Sequence, residues 1–269
     1  MVRHARNAWI ETITGSELDK TKFLREISKK QVVILGESHD IAEIHRWQLH
    51  TANYLHAFRP KMLMGFEMFP ARLQPVLDEW TAGKLGTEEF LKLSKWDEVW
   101  GFPAQIYLPL FHFCRQNSVP MIALNCYREL VTRVGKEGWD AIPLPERDGL
   151  TPSASPLKGH REYLGALVNI EITDRFIRAQ QTWDRAFACN IKKALDKYGR
   201  DYLMTAIVGK GHAEYGYGTP HQLKDLGIEE VAVLLSSCKE NFDAGKAKNI
   251  ADGIYRVDIV EKPAERMKK

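Results

Sequence analysis

Five short runs of the chain are apolar almost without interruption: VVILG (32–36), KMLMGFEM (61–68), VPMIALN (119–125), YLMTAIVG (202–209) and VAVLLSS (231–237). A strand with one wet face alternates apolar and polar positions, whereas a strand covered on both faces has no need to. These runs therefore predict a parallel sheet with helices on each side. Segments of helical period lie between them. Residues 41–58 carry Ile44, Trp47, Leu49, Leu55 and Phe58 among polar positions, and Pro60 closes that helix. A longer helix is predicted from Phe176, Gln180, Trp183, Phe187, Ile191, Leu195 and Tyr198, spaced three or four apart, with Gly199 as its stop.

The class is α/β, a mostly parallel β-sheet flanked by helices. About fifty residues separate the second and third runs, more than one crossover helix needs. Helical insertions at approximately 70–118 and 127–200 are expected to build a smaller helical lobe within a single α/β unit spanning 1–269. Residues 140–160 hold four prolines and little periodicity, which predicts a long loop. The final run, IYRVDIVEK (254–262), alternates and predicts an edge strand with one wet face.

The strand ends are unusual. VVILG runs directly into Glu37, Ser38, His39 and Asp40; GFEMF places Glu67 between aromatic residues; TAIVG leads to Lys210 and, three residues after Gly209, His212. In open parallel sheets the carboxyl ends of the strands face the ligand crevice, so these residues are site candidates by position. Each has an ordinary alternative. Glu37 or Asp40 could cap the next helix, and His39 alone is more often a structural residue. Glu67 is harder to dismiss, because a carboxylate flanked by Phe66, Met68 and Phe69 is costly unless paired or working. Together, Glu37, His39, Glu67 and His212 suit general-base chemistry or a divalent metal. His45, His50, His56 and His112 fall on helical segments and read as ordinary residues.

The familiar catalytic signatures are missing. GESHD lacks the closing glycine of a nucleophile elbow, GKGHAE lacks the third glycine of a dinucleotide loop, and no HExxH occurs. GKGHAEYGYGTP (209–220) reads as a turn on its glycines, but Tyr215 and Tyr217 are left over. A phenolate is a known haem-iron ligand, and Lys210 or His212 could pair with propionates.

Composition narrows the classes. With 38 basic and 35 acidic residues the net charge is +3, which gives no electrostatic case for nucleic acid. The basic tail 262–269 reads as a solvated end. Four scattered cysteines, with no CxxC, predict buried free thiols rather than a disulfide framework. No run approaches the ~20 apolar residues of a transmembrane segment. As the sequence stands it reads as cytoplasmic; an exported or membrane-anchored protein is the alternative if a signal segment was removed.

Six stretches, in order over roughly residues 30–226, resemble the ChaN-like haem-binding uptake proteins, a family in one superfamily with erythromycin esterases and Tiki metalloproteases. They are VVILGESHD, GFEMF followed by Gln74, the Trp100 to Pro109 segment with Tyr107, PMIALN with Asn125, AQQTWD, and GKGHAEYGYGTP. The resemblance implies haem bound at the interface of a homodimer, with an iron-ligating tyrosine, in iron or haem acquisition. By motif position that role falls on Tyr217, with Tyr215 as competitor and Lys210 and His212 as propionate partners. The wider superfamily implies instead hydrolysis, metal-dependent or general-base, at Glu37, His39, Glu67 and His212. Asp40, Tyr107 and Asn125 would support either site.

Overall fold

The computed structural model describes residues 2–266; the end of the basic tail lies outside them. Ten strands form, β1 (Val2–Arg3), β2 (Trp9–Ile10), β3 (Glu17–Leu18), β4 (Val32–Glu37), β5 (Met62–Pro70), β6 (Met121–Asn125), β7 (Leu203–Gly209), β8 (Val231–Ser237), β9 (Asn241–Phe242) and β10 (Gly253–Arg256). Eight of them make one sheet in the order β3-β2-β10-β8-β4-β7-β5-β6, while β1 and β9 pair separately. The block from β10 to β6 is parallel; β2 and β3 run antiparallel to their neighbours. All five apolar runs are strands, as the α/β class requires.

Side chains alternate across each strand, so one run feeds two cores. Val33, Leu35, Met64 and Phe66 face an aromatic-rich core with Trp47, Trp80 and Phe111. Its helices include α1 (Lys20–Ile27), α2 (Ala42–Phe58), α3 (Gln74–Thr81), α4 (Thr87–Leu93), α5 (Trp96–Val99) and α6 (Leu108–Gln116). Val32, Ile34 and Leu63 face the opposite core, with Phe187, Ile191 and Leu223. That side carries α7 (Arg128–Glu137), α8 (His160–Val168), α9 (Asp174–Tyr198) and α10 (Thr219–Asp225), and α11 (Ala244–Ala247) precedes the last strand. Apart from a single turn at Leu144–Glu146, residues 140–159 contain no helix or strand.

Two expectations change. The alternating C-terminal run is not an edge: only Gly253–Arg256 is strand, fully buried between β8 and β2. The hairpin of β2 and β3 covers that side, and two-residue strands are too short to announce themselves by periodicity. Cys114, Cys126 and Cys189 are buried free thiols, but Cys238 is exposed.

The real edge at the far side is β6, and it is plugged. The Gln74 amide accepts from the Ala123 N–H at 2.8 Å and donates to the Met121 carbonyl at 2.7 Å. Between Phe66 and Pro70 the pairing of β5 with β6 slips, because Phe66 faces Ala123 while Pro70 faces Asn125. Glu67 lies inside that irregular stretch, a device that re-aims side chains beside functional sites.

Phe111 is fully buried and meets Phe66, Phe69, Phe90 and Trp96, with ring centroids 5.2–5.6 Å apart. Phe111→Ala should lower unfolding stability by about 3–5 kcal/mol, read from denaturant melts. A loss under about 1 kcal/mol would show that this core collapses around the gap.

Candidate functional site

The carboxyl ends of β4, β5 and β7 meet at one point. Gly209 shows how closely. A Cβ there would stand 2.9 Å from His39 Cε1, 3.2 Å from His39 Nε2 and 3.3 Å from Glu67 Oε2. The structure thus brings His39, Glu67 and the β7 end into contact, and the next turn (Lys210–His212) adds the second histidine.

Glu37 anchors one half. Its carboxylate is buried and accepts from His39 Nδ1–H (2.7 Å) and the Tyr107 hydroxyl (3.0 Å) at Oε1, and from Gln48 Nε2 (3.2 Å) at Oε2. His45 Nδ1 lies 3.4 Å from the same carboxylate. Burial alone would raise the Glu37 pKa, but His45, His39 and Tyr107 hold it below the ordinary carboxylate value. Glu37 is therefore an anionic orienter and not a helix cap. The N-cap of α2 is Ile41, which makes no side-chain capping bond. Tyr107 is fully buried and also donates to the His39 carbonyl at 3.2 Å, so its phenol is a brace.

With Nδ1–H given to Glu37, His39 keeps Nε2 as a basic lone pair. Burial disfavours the imidazolium, yet the Glu37 bond and the Glu37 and Glu67 charges raise the His39 pKa. The same arrangement recurs opposite. His212 Nδ1–H donates to Asp184 Oδ1 at 2.9 Å, and that oxygen also accepts from Thr219 Oγ1 at 2.9 Å. His212 Nε2 stands 3.9 Å from Glu67 Oε1. Burial lowers the His212 pKa, but Asp184 and Glu67 outweigh it and bring the value up to about 9. Glu67 lies between the two histidines, held at Oε2 by the Gly209 N–H (2.5 Å) and at its carbonyl by Asn125 Nδ2 (2.9 Å).

Among the described residues, Asp40 engages through its main-chain carbonyl, which accepts from Ala264 N at 2.6 Å. Asp184, His45 and Gln48 join the site without having been marked by the sequence pattern. Asp184 sits in the AQQTWD stretch and lies one turn from Gln180 and Phe187, so the helical pattern hid it. Among the described residues, no group of three or more His, Cys, Asp or Glu side chains is placed to hold a metal ion. No described helix is long and apolar enough to cross a membrane.

Beyond Asp184 and His212 lies the tyrosine cluster. Tyr163, Tyr215 and Tyr217 stand with centroids 5.5–5.9 Å apart, and His160 is 5.8 Å from Tyr217. Tyr163 donates its hydroxyl to Glu214 at 2.6 Å. Tyr215 has a left-handed backbone, φ 58°, a strained state for a bulky residue and one that concentrates at functional sites.

A family described as haem-binding uptake, Tiki superfamily, ChaN, matches residues 23–223. The chain belongs to this family. Among solved structures it is similar to ChaN of Campylobacter jejuni, described as showing cofacial haem binding, with a TM-score of 0.72, 19% identity, and 92% of this chain and 96% of that one covered. It is also similar to a mutant of the erythromycin esterase EreC in its open conformation (TM-score 0.52, 12% identity, 85% and 76% covered). The type III effector HopBA1 aligns comparably (TM-score 0.52, 11% identity, 88% and 91% covered). At these identities the neighbours attest to the fold alone. No curated protein sequence matches the chain.

The Asp184–His212 pair makes a pH prediction. A histidine whose pKa rises on folding adds stability that is full below its unfolded value of 6.5 and is lost as pH rises through about 9. Asp184→Asn should bring the His212 pKa down to the ordinary value or lower and erase that slope, as read by imidazole NMR titration and by melts on either side of the window. An unshifted titration would show that Asp184 is not the cause.

Proposed function

We propose that the protein binds haem at the tyrosine cluster, between two copies of the chain, with Tyr217 as the iron ligand. The observation that carries this is the Tyr217 hydroxyl. Of the phenols in the cluster, that of Tyr163 is committed to Glu214, whereas the hydroxyl of Tyr217 has no hydrogen-bond partner among the described residues. Its ring is half-buried, and a Cβ on Gly159 would stand 3.0 Å from its oxygen. His160 beside it is buried, with both ring nitrogens lacking a partner among the described residues. An unsatisfied buried imidazole is costly, which marks a place where a polar group from outside the chain is expected.

The surroundings fit a large, flat, apolar dianion. Tyr163 and Tyr215 offer aromatic faces, while Leu157, Leu167, Val168 and Ile170 are exposed on and around α8. Lys210, on the adjoining turn, makes no ion pair among the described residues and is the better propionate partner; both ring nitrogens of His212 face carboxylates. Bound ferric haem would supply a Lewis-acidic iron that favours the tyrosinate. The family and the haem-binding C. jejuni relative support the reading. Haemin titration should give saturable binding with a tyrosinate-type absorption and haem-dependent pairing in sedimentation. Tyr217→Phe should abolish that absorption; an unchanged spectrum would move the ligand elsewhere.

A second reading rests on a different observation, the two carboxylate–histidine pairs facing Glu67. Neither pair is needed to bind haem. In this reading His39, oriented by Glu37, takes a proton from water through Nε2, and Glu67 positions that water. His212, protonated near neutral pH, would donate to a leaving group. His39→Ala should then lower ester hydrolysis by about 100-fold or more. Unchanged rates over ester and amide panels would sink it.

A further inference from the structure

Above His39 and Glu67 opens a cleft of about 430 Å³ that belongs to neither the tyrosine cluster nor the sheet core. Its lining is mixed, and Met68, Trp100, Phe102 and Trp183 supply an apolar and aromatic part of it. Its rim carries three arginines from three distant parts of the chain: Arg72 after β5, Arg128 at the start of α7, and Arg266 near the C-terminus. None is within ion-pair distance of a carboxylate among the described residues. Two are already held in place by stacking. The Arg72 guanidinium lies 5.0 Å over the Tyr127 ring and that of Arg266 lies 5.4 Å over Phe102, with Arg266 Nε donating to the Trp100 carbonyl at 2.9 Å.

A guanidinium stacked on a ring keeps its in-plane N–H edge for an oxyanion, and stacking has already removed part of the ordering cost. The cleft also has acidic members. Glu98 is 3.8 Å from Lys95, and Glu129 is exposed at the rim.

We propose that this cleft selects a ligand with an aromatic or apolar body and an oxyanion, carboxylate or phosphate, gripped by Arg72, Arg128 and Arg266. Its scissile ester lies over His39 and Glu67. This rests on the second reading and gives it a substrate class. Water is the co-reactant: its oxygen bonds to the acyl carbon and the ester C–O bond breaks. One proton passes from water to His39 Nε2 and one from His212 to the leaving alcohol, and exchange with solvent restores both histidines.

The test separates binding from turnover. Calorimetric titration compares 4-methoxybenzoate and 4-methoxyphenyl phosphate with the neutral 4-methoxybenzamide, and assays compare 4-acetoxybenzoate with 4-acetoxybenzamide. At least one acid should bind about tenfold more tightly than the amide, and the anionic ester should show a kcat/KM higher by a similar factor. The tighter acid identifies the oxyanion. Arg72→Ala, Arg128→Ala and Arg266→Ala combined should bring acid and anionic ester down to the level of their neutral partners. Equal binding of acids and amide, or a preference that survives loss of the arginines, overturns the inference. Acids held through the arginines with no ester turnover would establish the oxyanion site and remove the second reading.

Discussion

The buried carboxylate of Glu37 is the constraint around which the site is assembled. A charge at the end of a strand with no exposed face must be fully hydrogen-bonded or it would not stay ionised. His39, Tyr107 and Gln48 meet that demand from three different elements, with His45 alongside. Satisfying the carboxylate fixes the His39 tautomer, docks α2 through Gln48 and His45, and ties the segment before α6 to the sheet through Tyr107. A charge that is expensive to bury thereby links the helical layer to the strand ends.

The second pair follows the same physics from the opposite layer. Asp184 is on α9, His212 just past β7, and Thr219 opens α10. Glu67 reaches the space between the pairs because β5 loses register with β6, and Asn125 steadies the displaced backbone. Helical layers on opposite faces of one sheet each help to orient an imidazole carried just past a strand end, and the sheet contributes the carboxylate between them.

Much of this was legible in the sequence, for definite reasons. The five core strands are covered on both faces, so they read as unbroken apolar runs, and residues just beyond them stood out by contrast. Glu37, His39, Glu67 and His212, which the strand ends bring together, were marked as candidates that way. Asp184, His45 and Gln48 were not, since a polar residue inside an amphipathic helix looks solvated until the facing surface is known. His45 even follows a helical rhythm that marks it as ordinary. The rim arginines come from segments nearly two hundred positions apart, a convergence no local pattern records. The C-terminal strand misled because its alternation continues past Arg256, where the pairing stops.

The plug at the sheet edge bears on assembly. Sheets commonly associate by adding a strand to an open edge. Here Gln74 occupies the Ala123 N–H and the Met121 carbonyl on β6, while the opposite edge, β3, is two residues long. Neither border presents a ladder of free main-chain groups to a second chain. Two copies that come together away from the borders of this sheet do so through side chains on helices and loops, leaving the interface free to enclose something between them.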